Sequence, residues 1–201
     1  MHPATGEAVS GYARRVSASR SLIYSMGVSL DGFIAGPGHE MDWGGGGRRL
    51  GDFVAPGDLA EIAAATGAML IGRRTWEVGD EMEADDPGST DYPFAGPFFL
   101  LTHRPLDPPD PDVTILSGDI GDAVATALAA AGDKNLEILG ADVAGQCLGR
   151  GLVDEILVYV LPVLLGDGIR FSPPGLARVD LEPIESRRSG DATILRFRVR
   201  K

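Results

Sequence analysis

Four short stretches of this chain carry side chains whose types and spacing could do chemistry. In "IGRRTW", Arg73, Arg74 and Thr75 follow directly on an apolar run. If a helix starts there, its free N–H groups and positive dipole end favour an anion, and two guanidiniums with a hydroxyl suit a phosphate ester. The bland alternative is a pair of surface arginines beside a Thr that caps a turn. In "LLTHRP", Thr102, His103 and Arg104 close a second apolar run, so two strand ends could share one anionic ligand; as ordinary loop residues they would need no ligand. In "LEILGADVAG", Gly140 permits a tight turn, while Ala141 and Ala144 let a ligand approach the backbone. Asp142 argues the other way, because as an N-cap it would satisfy the same donors and repel an anion. In "GVSLDGFIAG", Asp31 is the carboxylate nearest the first core strand, yet Asp-Gly is also a common hairpin turn.

These stretches need elements to position them. Residues 1 to 20 show no sustained period and read as a leader, with a single domain over 21 to 201. A strand from Leu22 bends at Asp31-Gly32 and returns, and "PGHEMDWGGGGRRLGD" reads as a loop. Pro56 to Thr66 predicts a helix with Asp58 as N-cap and Gly67 as its stop. "AMLIG", "PFFLLT" and "VTILSG" read as buried strands, "RRTWEVG" as a helical turn, and the acidic "DEMEADDPGSTDYPFAG" as unplaced loop. A helix with Asp119 or nearby residues at its start and Gly132 at its end precedes strand 135 to 139, a helix over about 142 to 150, and the long strand "VDEILVYVLPVLL". A hairpin around Ser189 to Asp191 closes the chain. Strands alternating with helices predict a mostly parallel central sheet, whose ligands bind beyond the strand C-termini, where the four stretches fall.

Composition narrows the chemistry. A formal net charge of -11 over 201 residues disfavours nucleic acid and anionic membrane. No apolar stretch reaches bilayer length and no signal peptide is visible, so a soluble cytoplasmic protein is expected. No zinc, nucleophile-elbow or Walker spacing occurs. Cys147, the only cysteine, falls in an amphipathic helix and reads as a buried thiol.

As an ordered set, "SMGVSLDGFIAG", "AMLIGRRTWE", "FFLLTHRP" and "GADVAGQCLGRGLVDEILVYVLPVLLGDGIRF" resemble the dihydrofolate reductase superfamily, in the branch similar to the reductase domain of bifunctional riboflavin-biosynthesis proteins. The resemblance implies a three-layer α/β/α fold of dihydrofolate reductase type and NADPH, in preference to NADH, across the strand ends. It implies hydride transfer to a small-molecule substrate, a ribosylaminopyrimidine or a pteridine-like ring. By position, Gly27, Val28 and Ile34 would border the nicotinamide. Arg73, Arg74 and Thr75 would meet the adenosine phosphates, with Thr102, His103 and Arg104 along the adenosine side. Gly140, Ala141, Asp142 and Val143 would cover the pyrophosphate, and Asp31 would manage the proton. A homodimer is implied as well.

Three departures bear on this. Leu139 stands where the branch has a second glycine; a cis peptide at Leu139 to Gly140 would cost about 3 kcal/mol and would have to be held for a ligand. Gly145 replaces a longer polar side chain, which would open space or remove a phosphate contact. The helix carboxylate that dihydrofolate reductases use on a pterin has no clear counterpart beyond Asp52 or Asp58. The alternative function is a non-catalytic nucleotide- or drug-binding protein that keeps the fold.

Overall fold

A computed structural model describes residues 20–43, 47–85 and 92–201. The expected leader lies outside them apart from Arg20. The elements run β1 (Leu22–Ser29), β2 (Phe33–Ala35), α1 (Pro56–Ala65), β3 (Thr66–Gly72), α2 (Arg73–Asp85), β4 (Phe98–Leu101) and β5 (Val113–Leu116). They continue α3 (Ile120–Ala131), β6 (Asn135–Leu139), α4 (Ala141–Gly149), β7 (Glu155–Leu161), β8 (Ile169–Arg170), β9 (Leu181–Ser189) and β10 (Ala192–Val199).

The main sheet has the order β5-β4-β3-β6-β1-β7-β10-β9. β1 is buried at every position, as expected of a central strand covered on both faces. It pairs in parallel with β6 and β7, and β3 pairs in parallel with β4 and β6. The C-terminal ends of β1, β3, β4 and β6 therefore share one edge. β10 and β9 are antiparallel, joined at Gly190-Asp191 as the turn chemistry predicts. α1 and α2 pack on β3 and β4, and α3 and α4 on β3 and β6, which gives the expected dihydrofolate reductase-like α/β architecture. Asp119 caps α3 by accepting from the Gly121 N–H at 2.7 Å, and Gly132 ends it at φ 66.

Several local expectations need correction. β2 does not pair back onto β1, because both edges of β1 are occupied; it pairs with β8, Phe33 opposite Arg170. Ala55, not Asp58, is the N-cap of α1, with Pro56 in the first turn. Asp58 instead accepts from Arg187 at 2.7 Å and from the Ser189 hydroxyl, which ties α1 to β9. Gly67 is not a helix stop: β3 already starts at Thr66, and a Cβ at Gly67 would run into the Ala131 backbone. α2 extends to Asp85 through residues assigned to loop, supported by Arg74 paired with Glu77 and Glu81. β7 stops at Leu161, before Pro162, which has no N–H to give a ladder. In the 37–52 segment, Trp43 is buried and, with Leu50, closes over Gly27.

The sheet also holds two carboxylates out of water, Glu137 and the Arg196-paired Glu155. Glu137 on β6 accepts from the Thr66 hydroxyl at 2.7 Å and the Tyr92 hydroxyl at 2.9 Å. Burial pushes its pKa up to about 7.

Candidate active site

The shared strand edge opens into a cavity of about 580 Å³. Its polar end is built by three strand-to-helix or strand-to-loop turns. At the first, Gly140 caps α4 with φ 91 and ψ 137. The Leu139–Gly140 peptide is trans, so the turn is made by the glycine and not by a cis bond. No side chain caps α4. Asp142 turns away from the cap role and accepts from Gln146 Nε2 at 3.0 Å, one turn further on. The first-turn N–H groups beside Ala141, Asp142 and Val143 thus keep the anion-binding character that a self-capping aspartate would have removed. A Cβ on Gly140 would strike Thr75 Oγ1, so the first and second turns meet at van der Waals distance. Gly145 leaves no opening, because a Cβ there would lie 2.7 Å from the Pro173 ring.

At the second turn, Arg73 is a strut. Its Nε donates to Glu77 at 2.9 Å and its Nη1 to the carbonyls of Arg104 and Pro105 at 2.9 and 3.0 Å. Arg74 is paired with Glu77 and Glu81. The Arg73 hydrogen bond is the main cause that holds Glu77 below the usual carboxylate range. At the third turn, Thr102 Oγ1 accepts from the Arg104 N–H at 3.2 Å and donates to its carbonyl at 3.1 Å. Among the described residues the Arg104 guanidinium is then the lining arginine without a carboxylate.

The inner end is apolar, made by Met26, Ile34, Ala35 and Ile169. A polar, partly cationic end and an apolar end suit an elongated ligand with phosphates at one side and a ring at the other.

Eleven of the expected residues come together here: Ile34, Arg73, Arg74, Thr75, Thr102, His103, Arg104, Gly140, Ala141, Asp142 and Val143. Gly27, Val28 and Asp31 do not line the cavity. Gly27 lies under Trp43 and Leu50, and Val28 is buried. Asp31 accepts from Ser29 Oγ at 2.6 Å and from the N–H groups of Leu165 and Gly166 at 3.1 and 2.7 Å. The serine hydroxyl first, then these amides, lower its pKa to about 2, so it is a fixed carboxylate that clamps the 165–166 backbone.

Sequence reasoning missed His39, Met41, Gly118 and Gln146, which also line the cavity. Gly118 follows β5 as Thr102 follows β4, so the strand-end rule could have found it. Gln146 sits one turn beyond Asp142. His39 and Met41 carry no such signal, since nothing in the sequence fixes the path of their loop. Among the described residues no cluster of His, Cys, Asp or Glu could hold a metal. Cys147 is fully buried on α4, and burial pushes its thiol up to about 12. No helix among the described residues is long and apolar enough to cross a membrane.

Comparison with known proteins bears on the family and the fold. The family model of the RibD C-terminal domain matches residues 20–195. The uncharacterized protein YwjB of Bacillus subtilis (strain 168) is 27% identical over 155 residues, 75% of this chain and 81% of YwjB. A candidate riboflavin biosynthesis protein from Shewanella sp. PV-4 superposes with a TM-score of 0.71 at 23% identity, covering 90% of this chain and 99% of that one. Dihydrofolate reductase from Enterococcus faecalis, in complex with NADP(H) and RAB-propyl, shares the fold at a TM-score of 0.55 and 13% identity, over 90% and 97% of the two chains.

Proposed function

Because the chain belongs to the RibD C-terminal domain family, we propose that it is a reductase that uses NADPH to reduce a small heterocyclic substrate, a ribosylaminopyrimidine or a pteridine-like ring. The observation that carries this reading is the meeting of three strand-end turns in one cavity with an anion-favouring end and an apolar end. The cradle fits a dinucleotide: Gly140 is held bare by Thr75, and the α4 N-terminus has no side-chain cap. When bound, the dinucleotide supplies hydride. The chain's own part is to bind and orient. Ala141 to Val143 and Thr75 hold the pyrophosphate, Thr102 and Arg104 the adenosine side, and Ile34, Ala35, Met26 and Ile169 exclude water around the ring. The preference for NADPH over NADH rests on Arg104, the lining guanidinium left unpaired for an extra phosphate.

Titration of the purified protein with NADPH and NADH tests the reading. Saturable binding, tighter for NADPH, is expected; no binding of either at millimolar concentration ends it. A second reading, a binding protein without turnover, draws on Asp31, which stands outside the cavity as a fixed carboxylate. NADPH bound but never oxidised across a panel of flavin precursors, dihydrofolate and carbonyl compounds would favour it. A homodimer is also proposed. Leu30 and Leu164, each 68% exposed, form an apolar patch where Leu30 bonds to Val163. A monomer by light scattering removes that proposal.

A further inference from the structure

Tyr24 stands in the middle of β1, wholly buried. It does not line the cavity, which Met26 reaches from the same face of the strand two residues later. A buried phenol needs a partner, and this one donates to the Phe171 carbonyl at 2.9 Å. The two rings also stack, their centroids 4.5 Å apart and their planes 7° from parallel. Burial pushes the Tyr24 pKa above the usual phenol range, so the hydroxyl keeps its proton.

Phe171 is thereby held at three points. Its N–H donates to the Gly32 carbonyl at 3.0 Å, its own carbonyl accepts from Tyr24, and its ring lies on the Tyr24 ring. The residues flanking it reach opposite ends of the cavity. Ile169, two positions back, pairs with Ala35, and both line the apolar end. Pro173, two positions on, packs beside Gly145 on α4, the helix whose uncapped first turn makes the anion-favouring end. Neither junction has slack: a Cβ at Gly168 would strike the Ala35 carbonyl, and none fits between Gly145 and the Pro173 ring.

We propose that Tyr24 is a positioning residue: by fixing Phe171 it sets the separation between the two ends of the cavity, so that one dinucleotide engages both at once. The inference rests on the reductase reading above. A two-ended ligand gains from its second contact only when both can be made without distorting either site. The Tyr24 hydroxyl acts through the Phe171 carbonyl and touches neither cofactor nor substrate. Its removal leaves that carbonyl without its donor and releases the 169–173 segment from β1 at one of its three points. Each end still holds its half of the cofactor, at a spacing no longer matched to the whole.

The test uses the full chain and three probes: NADPH, adenosine 2′,5′-bisphosphate for the phosphate end, and reduced nicotinamide mononucleotide for the apolar end. The wild type should bind NADPH at least about a hundredfold tighter than either fragment. Tyr24→Phe, which keeps the ring and its stack, should weaken NADPH about tenfold and change the affinity for either fragment by less than about twofold. The fluorescence of the bound NADPH should move towards that of the free cofactor as the reduced ring loses its seat. Pro173→Ala loosens the same link from its far side; it should show the same pattern, and it carries the test if Tyr24→Phe does not fold. Equal losses for NADPH and both fragments, as general loosening would give, or an unchanged NADPH affinity would overturn the proposal. So would a wild type that binds NADPH no tighter than adenosine 2′,5′-bisphosphate. A wild type that binds no dinucleotide at all ends the reductase reading itself, an outcome distinct from NADPH bound with the wrong fragment pattern.

Discussion

The guanidinium of Arg73 donates to the backbone carbonyl of Arg104 at 2.9 Å, so the two arginines that "GRRTW" and "LTHRP" contribute have different duties. One holds up the turn and the other is left to meet a ligand. Arg104→Gln should therefore weaken NADPH binding about tenfold or more while leaving NADH binding nearly unchanged. Arg73→Gln should weaken both cofactors alike and lower Tm, since it frees the 104–105 backbone. Isothermal titration with the two dinucleotides separates these outcomes, and equal losses for both cofactors in Arg104→Gln would refute the assignment.

Gly140 has φ 91 and faces Thr75 Oγ1 across a gap too small for a methyl group. Gly140→Ala should destabilise the fold by about 1–3 kcal/mol and abolish dinucleotide binding. Adding Thr75→Ala removes the clash but not the unfavourable φ. The double variant should regain part of the lost Tm and none of the binding. Thermal unfolding with and without NADPH checks this.

Glu137 makes stability depend on pH in a defined direction. Its carboxyl would lose its proton near 4.5 in the unfolded chain but holds it to about 7 in the fold. Between those values the folded state binds the extra proton, so this contribution is intact below 4.5, declines as pH rises to about 7, and is flat above. Tyr92, Thr66, Tyr159 and Arg196 are the groups around this carboxyl and its phenol partner. Glu137→Gln removes the decline. The stability difference between variant and wild type should move in the variant's favour by roughly 3 kcal/mol from pH 4.5 to 8. Denaturant unfolding across that range measures it, and a difference independent of pH would show the group is not titrating.

Asp31 behaves in the opposite sense. Its pKa is lowered to about 2, so its contribution is present above its ordinary 3.8 and is lost as pH falls towards 2. Asp31→Asn can no longer hold both amides of Leu165 and Gly166. Faster amide exchange at those two positions and a lower Tm are expected, with the pH profile of turnover keeping its shape. A displaced profile would return Asp31 to a proton-transfer role.

Much of the fold and the polar end of the site could be read from the sequence, because both rest on local signals. Apolar runs ending in Gly140, Thr102 or Arg73 place strand ends, and the parallel sheet gathers strand ends on one edge. What escaped depends on partners distant in the chain. Nothing local tells that Asp58 will be claimed by Arg187, that Asp31 will bind a loop beyond β7, or that Pro173 will fill the space beside Gly145. α2 was cut short for a different reason: its second half is nearly all polar, so its helix is marked by charge spacing and not by an apolar stripe. His39 was invisible because its place follows from a turn, and turns of this kind leave no periodic trace.

The stitching of β2 to β8 has a consequence for the order in which the protein can be made. The cavity's inner wall joins Ile34 and Ala35 to Ile169, and Asp31 bonds a backbone amide 134 positions further on. β1, the first strand among the described residues, must keep one edge open until β7 arrives. A chain emerging from the ribosome thus carries the turns proposed to hold phosphates well before it owns the apolar end of the cavity. Nascent chains arrested after α4 should carry those turns yet lack a pocket that grips a dinucleotide at both ends, so competence would arrive abruptly once the 155–171 stretch is free to fold back.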